Sequence, residues 1–353
     1  MECLPTIFIG PFSKGRIPND GASIKNYHIL KKLRALIPNL IEFDTDGWKR
    51  KPWILFRILI TILSNPNAHY ILSLNNDSAN KLIKLLHRLA PKASVIYWVI
   101  GGSIGKWMLN GRVKTHDYAW LKNIIVEGES MKQDIMSAGL HNVTVMPNFK
   151  EIINISKRPP KNNSITKFVF LSRINKFKGC ELILEAVASL NQHCGADRFL
   201  VDFYGPIEVE YNNEFQQKVS SLQNVSYKGF LDLRNTENYN ILANYDVMLF
   251  PTFWHGEGCP GIVIDAYMCG LPIYASDWNL NKDYVIDGET GILYPPKSPG
   301  ALYTVMENCI NGKYDLERFS ENALKEANKY DIDNVLSIIK LKENKILNDT
   351  NFR

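Results

Sequence analysis

Two acids, Glu257 and Asp265, stand with seven residues between them in the stretch FPTFWHGEGCPGIVIDAYMCGLPIYASDWNLNKDYVIDGETGILYPP, residues 250–296. Pro260 and the apolar run Gly261 to Met268 between and around them read as a helix. Asp265 then lies roughly 7 Å along its axis, and Glu257 stands in front of its first turn. The backbone N–H groups of Gly258 to Ile262, with Pro260 and Gly261 at the helix start, and the positive end of the helix dipole make an anion site between the two carboxylates. A ligand with phosphates at its centre and a hydroxylated ring at each end fits that layout, with one acid accepting hydroxyl protons from each ring. A nucleotide diphosphate sugar is such a ligand.

The elements that would position these groups are legible around them. Val247 to Phe250 is a short strand ending at Pro251, Gly270 and Pro272 close the helix, and Ile273 to Ala275 restarts a strand. Upstream, Phe168 to Leu171 opens a strand that is followed by Ser172-Arg173 and Lys178-Gly179 before a helix from Glu181. Cations at the C-terminal end of a first strand sit where open α/β sheets bind ligands, and Arg173 and Lys178 could neutralise a pyrophosphate there.

These residues resemble a known family. Glu257-x7-Asp265, Gly270-Leu271-Pro272, Ala275-Ser276-Asp277 and Asp287-Gly288-x-x-Gly291 are similar to the donor-binding signature of the retaining GT-B glycosyltransferases of family 4, above all those that build bacterial capsule and O-antigen polysaccharides. Asp265 replaces the family's second glutamate and is one methylene shorter. The resemblance implies an α/β fold of GT-B type, with two Rossmann-like domains and an interdomain cleft. It implies a UDP- or GDP-sugar donor and no metal, Arg173 and Lys178 on the donor diphosphate, Glu257 on the sugar, Asp265 on the ribose, and the backbone around Gly229-Phe230 against the base. Asp20-Gly21 stands where relatives carry a Gly-Gly turn, so Gly21 is the matching phosphate-side position. A histidine that relatives place near the end of the strand Val95–Ile100 has no counterpart in Gly101-Gly102-Ser103, and His116 is the nearest substitute. The likeness is most specific in residues 168–296.

Length and charge set the frame. A chain of 353 residues, 45% apolar and 22% charged, reads as a globular protein of two domains. The expected divisions are 1–150, an acceptor-binding domain, 165–333, the nucleotide-sugar domain, and 334–353, a last helix packing back on the first domain. Lys150 to Lys167 is the linker. Six cysteines without metal spacing suggest reduced thiols and a cytoplasmic protein, and Met1 to Gly10 lacks the basic start of a signal peptide. Residues 1–150 hold 20 Lys+Arg against 10 Asp+Glu, leaving 21 of the 41 cations against 26 of the 36 acids beyond them. The basic first half expects an anionic partner. No nucleic-acid motif accompanies the charge, so a membrane surface or a phosphorylated lipid is the expected one, with attachment on the inner face of the cell membrane.

The rest of the chain is read more coarsely. Thr6 to Gly10 is a strand, and Gly21 to Leu36 a helix with Ile24, Tyr27, Leu30, Leu33 and Leu36 on its inward face. Trp48 to Leu63 reads either as an interfacial membrane helix or as a core-facing one. Asn80 to Leu89 is a basic helix, and Ser130 is the expected cap of the helix Met131 to Ala138. Asp44-Thr45-Asp46 spells a metal-chelating triplet of another glycosyltransferase fold but lacks that fold's surroundings. His255 is an open position, on the sugar or in the loop. The reading is a retaining hexosyltransferase acting on a saccharide or lipid-linked saccharide in surface polysaccharide biosynthesis. A nucleotide-sugar epimerase of the same shape and an inactive sugar-nucleotide-binding partner are its rivals.

Overall fold

The computed structural model describes residues 4–337 apart from 17, 19, 154 and 156–164. Two compact units divide the chain, one built on residues up to Phe149 and joined by Val335, the other running from Lys150 to Asn334. The expected linker falls largely on residues outside those described, as does most of the expected last helix.

The first unit is a parallel sheet of six strands: β1 (Thr6–Gly10), β2 (Leu40–Asp44), β3 (His69–Asn75), β4 (Ser94–Ile100), β5 (Asn123–Val126) and β6 (Val143–Val145). Their order is β2-β1-β3-β4-β5-β6. Near-continuous apolar runs such as TIFIG and SVIYWVI suit strands covered on both faces. Three helices matter below: α1 (Gly21–Leu36), α2 (Trp53–Ser64) and α3 (Asn76–Leu89).

Four local expectations need correction in this unit. In α1 the buried side chains include Ser23, Lys25, Asn26 and Ile29, while Ile24 and Tyr27 are exposed. The inward face is rotated because its polar members have partners: Lys25 Nζ donates to Glu127 Oε1 at 2.6 Å, and Asn26 accepts from the Ser73 hydroxyl at 2.6 Å. The segment Trp48 to Leu63 is not one helix. Trp48–Arg50 makes a single 3₁₀ turn, and α2 begins after Pro52, which has no N–H to continue the turn before it. α3 starts at Asn76, four residues early, because the Asn75 side chain caps it by accepting from Ser78 N. The helix expected to open after Ser130 begins at Glu129 with Gly128 as its cap, so Ser130 lies inside the first turn.

The second unit repeats the plan with β7 (Thr166–Leu171), β8 (Phe199–Tyr204), β9 (Val225–Tyr227), β10 (Val247–Phe250), β11 (Ile273–Ser276) and β12 (Gly291–Tyr294). All pairs are parallel, in the order β12-β11-β10-β7-β8-β9. Phe168, Phe170, Phe199, Phe203 and Phe215 anchor its core, each fully buried and each worth about 1.5–3 kcal/mol by area. The chain runs from β7 to one side and from β10 to the other. The order therefore reverses between β7 and β10, and the loops leaving those two strands flank the crevice where open α/β sheets take ligands.

Candidate active site

The loop after β7 and the loop after β10 meet at that reversal. Residues 176–178 form a 3₁₀ turn capped by Asn175, whose side chain accepts from Lys178 N at 2.9 Å. Gly179 ends it at φ 76° and presses on the second loop: a Cβ there would come within 2.4 Å of the Pro251 carbonyl oxygen. Only glycine fits both the left-handed backbone and that approach. Phe253 N donates to the Phe177 carbonyl at 2.9 Å, and the Phe177 ring packs edge-on against Phe253 and Trp254.

This contact sets Lys178 against Glu257. Lys178 Nζ donates to Glu257 Oε2 at 2.5 Å, and the Thr252 hydroxyl donates to the same oxygen at 2.7 Å. Glu257 and Thr252 are buried, and the Lys178 side chain is nearly so. The Thr252 carbonyl in turn accepts from Ser276 Oγ at 2.5 Å, and Asn281 donates to the Ser276 carbonyl. The Ala275-Ser276-Asp277 motif thus braces the loop that carries the acid. Asp287-Gly288-x-x-Gly291 is also architectural. Asp287 accepts from Leu293 N, and a Cβ on Gly291 would lie 1.9 Å from the Ile273 carbonyl oxygen of β11.

The second acid sits in the helix Gly261–Met268, one turn from its start. Pro260 is the residue before the helix rather than its first member, so the first turn opens at Gly261. Asp265 is 3% exposed. Lys150 Nζ donates to both its oxygens, at 2.6 and 2.5 Å, and the Tyr239 hydroxyl donates to Oδ1 at 2.5 Å. The Lys150 stem lies across the helix start, where a Cβ on Gly261 would meet Lys150 Cε at 2.8 Å. Lys150 is itself pinned: its N–H donates to the Tyr330 carbonyl and its carbonyl accepts from Ile332 N. Burial, and then the Asp265 charge, push the Tyr239 hydroxyl far above the ordinary tyrosine range, so it stays a donor.

Lys150, Tyr239 and Thr252 were not foreseen. Lys150 looks like linker in the sequence, and nothing in a spacing of 115 residues signals its bond to Asp265. Of the foreseen residues, Lys178 with Glu257 are brought into direct contact, and Gly258 and Ile262 flank the helix start. Arg173 is exposed on the loop two residues after β7. Phe230 is 66% exposed just beyond β9, following Gly229 at φ 80°. Gly21 belongs to the first unit, where it opens α1 behind the Asp20 cap. His255 is exposed with its ring against Trp278, and His116 is exposed beside Asp117. The aspartates of the Asp44-Thr45-Asp46 triplet hold the loop after β1: Asp44 accepts from Phe12 N and Lys14 N, and Asp46 from Ser13 and Arg16.

Two parallel six-stranded sheets with helices define the GT-B architecture of glycosyltransferases. The chain belongs to the family of glycosyl transferases group 1, whose model matches residues 149–326. It is 26% identical over 158 residues to the D-rhamnosyltransferase WbpZ of Pseudomonas aeruginosa, covering 44% of this chain and 39% of that one. Over 180 residues it is 23% identical to the amylovoran biosynthesis glycosyltransferase AmsK of Erwinia amylovora, covering 50% and 43%. The matches thus span about two fifths of either relative's length. The crystal structure of Anabaena HepE in complex with UDP-glucose shares the fold, with TM-score 0.71 at 16% identity over 96% of this chain and 98% of that one.

Proposed function

We propose that the chain is a retaining glycosyltransferase that moves a hexose-type sugar from a UDP- or GDP-sugar to a saccharide or lipid-linked saccharide acceptor in surface polysaccharide biosynthesis. The observation that carries this reading is the Lys178–Glu257 contact at the strand-order reversal, a cation and an acid held together beside a helix start that no side chain caps. An ammonium has three donors, so Lys178 can keep Glu257 and still reach a phosphate oxygen. The names of the relatives support sugar transfer in polysaccharide biosynthesis, and a structural neighbour solved with UDP-glucose supports the class of donor.

In this reading the diphosphate lies between Lys178 and the N–H groups of Gly258, Gly261 and Ile262, with Arg173 closing on it from the loop after β7. Glu257 accepts from the sugar hydroxyls. Asp265, held by Lys150 and Tyr239, has one oxygen with capacity left for a ribose hydroxyl. Phe230 and the backbone beside it meet the base.

During transfer the bond from the anomeric carbon to the phosphate oxygen breaks, and the diphosphate gains the charge that Lys178 and Arg173 stabilise. The acceptor oxygen bonds to the anomeric carbon on the face the diphosphate leaves, and its proton goes to the departing phosphate oxygen. The two cations supply the positive charge, so no metal is called for. Incubation of the purified chain with a panel of nucleotide sugars, with and without saccharide acceptors, tests the reading. Transfer only in the presence of an acceptor supports it. Interconversion of the donor without one would point to an epimerase, and no turnover of any donor to a binding partner.

A further inference from the structure

We infer that α2 and its basic flank form a docking surface for an anionic lipid bilayer, with α2 lying in the interface. The helix WILFRILITILS is almost wholly apolar, yet only Ile58 and Ile62 are buried. Trp53, Phe56, Ile60 and Leu63 are 56, 64, 46 and 57% exposed, and their spacing of three, four and three residues places them along one side. A helix of that composition normally faces a core. Beside it Leu55 and Ile58 line a cavity of about 450 Å³ together with Ile9, Leu74, Leu82 and Leu85.

Charge decides what covers the stripe. Between residues 47 and 92 the chain has eight lysines and arginines against a single acid, Asp77. Lys49, Arg50 and Lys51 are exposed in the turn leading into α2, Arg57 is exposed on it, and Lys81 and Arg88 are exposed on α3, which packs beside it. A second copy of the chain would set this cationic field against itself, since a two-fold interface pairs a patch with its own image. Anionic headgroups complement it, and tryptophans at the polar end of an apolar helix suit the boundary between headgroups and acyl chains. Twelve residues make about 18 Å of helix, well short of the roughly 30 Å hydrocarbon layer, so α2 lies on the membrane rather than across it. Among the described residues no helix is long and apolar enough to cross a membrane.

Co-sedimentation of the full chain with vesicles tests this, using phosphatidylcholine alone and phosphatidylcholine with one third phosphatidylglycerol, at low and high salt. The expected result is binding roughly tenfold stronger to the anionic vesicles, weakened by about the same factor as the Debye length shrinks on adding salt. Phe56→Glu with Ile60→Glu, and separately Lys49→Glu with Arg50→Glu, should each abolish that preference while leaving the melting temperature and the response to nucleotide sugars unchanged, because all four side chains are exposed. Equal binding to both vesicle types overturns the inference. So does full binding by the Phe56/Ile60 variant, or a dimer in solution that this variant disperses, which would make a second copy the occupant.

Discussion

Lys150 and Asp265, 115 positions apart in the chain, form a two-pronged ion pair at 2.5 and 2.6 Å over the first turn of the helix Gly261–Met268. The aspartate is met by this lysine and by the Tyr239 hydroxyl. Its charge is thereby fixed in place before any ligand arrives. A double-mutant cycle with Lys150→Met and Asp265→Asn measures how tightly the two are tied. Each single change should cost about 2–3 kcal/mol in urea unfolding, because the buried carboxylate or the partly buried ammonium is left without its counter-charge, with a coupling of ~1–3 kcal/mol between them. Additive losses would mean that the pair contributes nothing as a pair.

Lys178→Ala separates stability from turnover. Glu257 keeps its bond from Thr252, so the fold should lose only ~1–2 kcal/mol. Transfer should slow by about 10²–10³ in kcat, the loss typical of removing one donor to a developing oxyanion. A variant that unfolds easily but, once folded, turns over at the wild-type rate would show that the lysine serves the architecture alone.

In the first unit Lys25 and Glu127 form an ion pair with side chains 4 and 7% exposed. Lys25→Met should lower stability by about 3–5 kcal/mol by removing the cation that faces a buried carboxylate, and adding Glu127→Leu should recover most of it. Denaturant midpoints of the two variants check this, and a double variant no more stable than the single would contradict it.

His69 predicts a pH dependence. Burial, and then the neighbouring Lys122, hold its pKa below the ordinary 6.5, and its Nδ1 is buried without a hydrogen-bond partner. A depressed folded-state pKa means that the unfolded chain takes up the proton first. The stability His69 allows is therefore complete above pH 6.5 and is lost as the pH falls from there through the folded-state value. Melting temperatures between pH 7.5 and 5.5 should fall more steeply for the wild type than for His69→Gln, and parallel curves would remove His69 from the account.

The parts that were legible in the sequence are those fixed by neighbours in the chain. Apolar runs marked strands such as β1, β4 and β10. Gly270 at φ 64° closes the helix Gly261–Met268 as its place before Pro272 requires. What stayed hidden is tertiary. The inward face of α1 could not be read from apolar spacing because Lys25 and Asn26 find buried partners on Glu127 and Ser73, distant in sequence. Lys150 carried the composition of a linker and turned out to be anchored by Tyr330, Ile332 and Asp265. Trp48 to Leu63 left a core helix and a surface helix equally open, since hydrophobicity alone does not say what covers it, and burial of only Ile58 and Ile62 separates them. Likeness to a family implied Lys178 on a diphosphate and Glu257 on a sugar, whereas their direct contact and its physical cause, the pressing of Gly179 on Pro251, are visible only in three dimensions.

The most direct test of the account is the thermal shift of wild type and Lys178→Ala against a panel of UDP- and GDP-sugars. A ligand at about a hundred times its Kd adds ~2.7 kcal/mol to the native state, which is a shift of several degrees. The wild type should rise with at least one nucleotide diphosphate sugar, and Lys178→Ala should lose most of that rise with the same compound. No response to any of them, or an undiminished response in the variant, would contradict the assignment of this crevice to a sugar nucleotide.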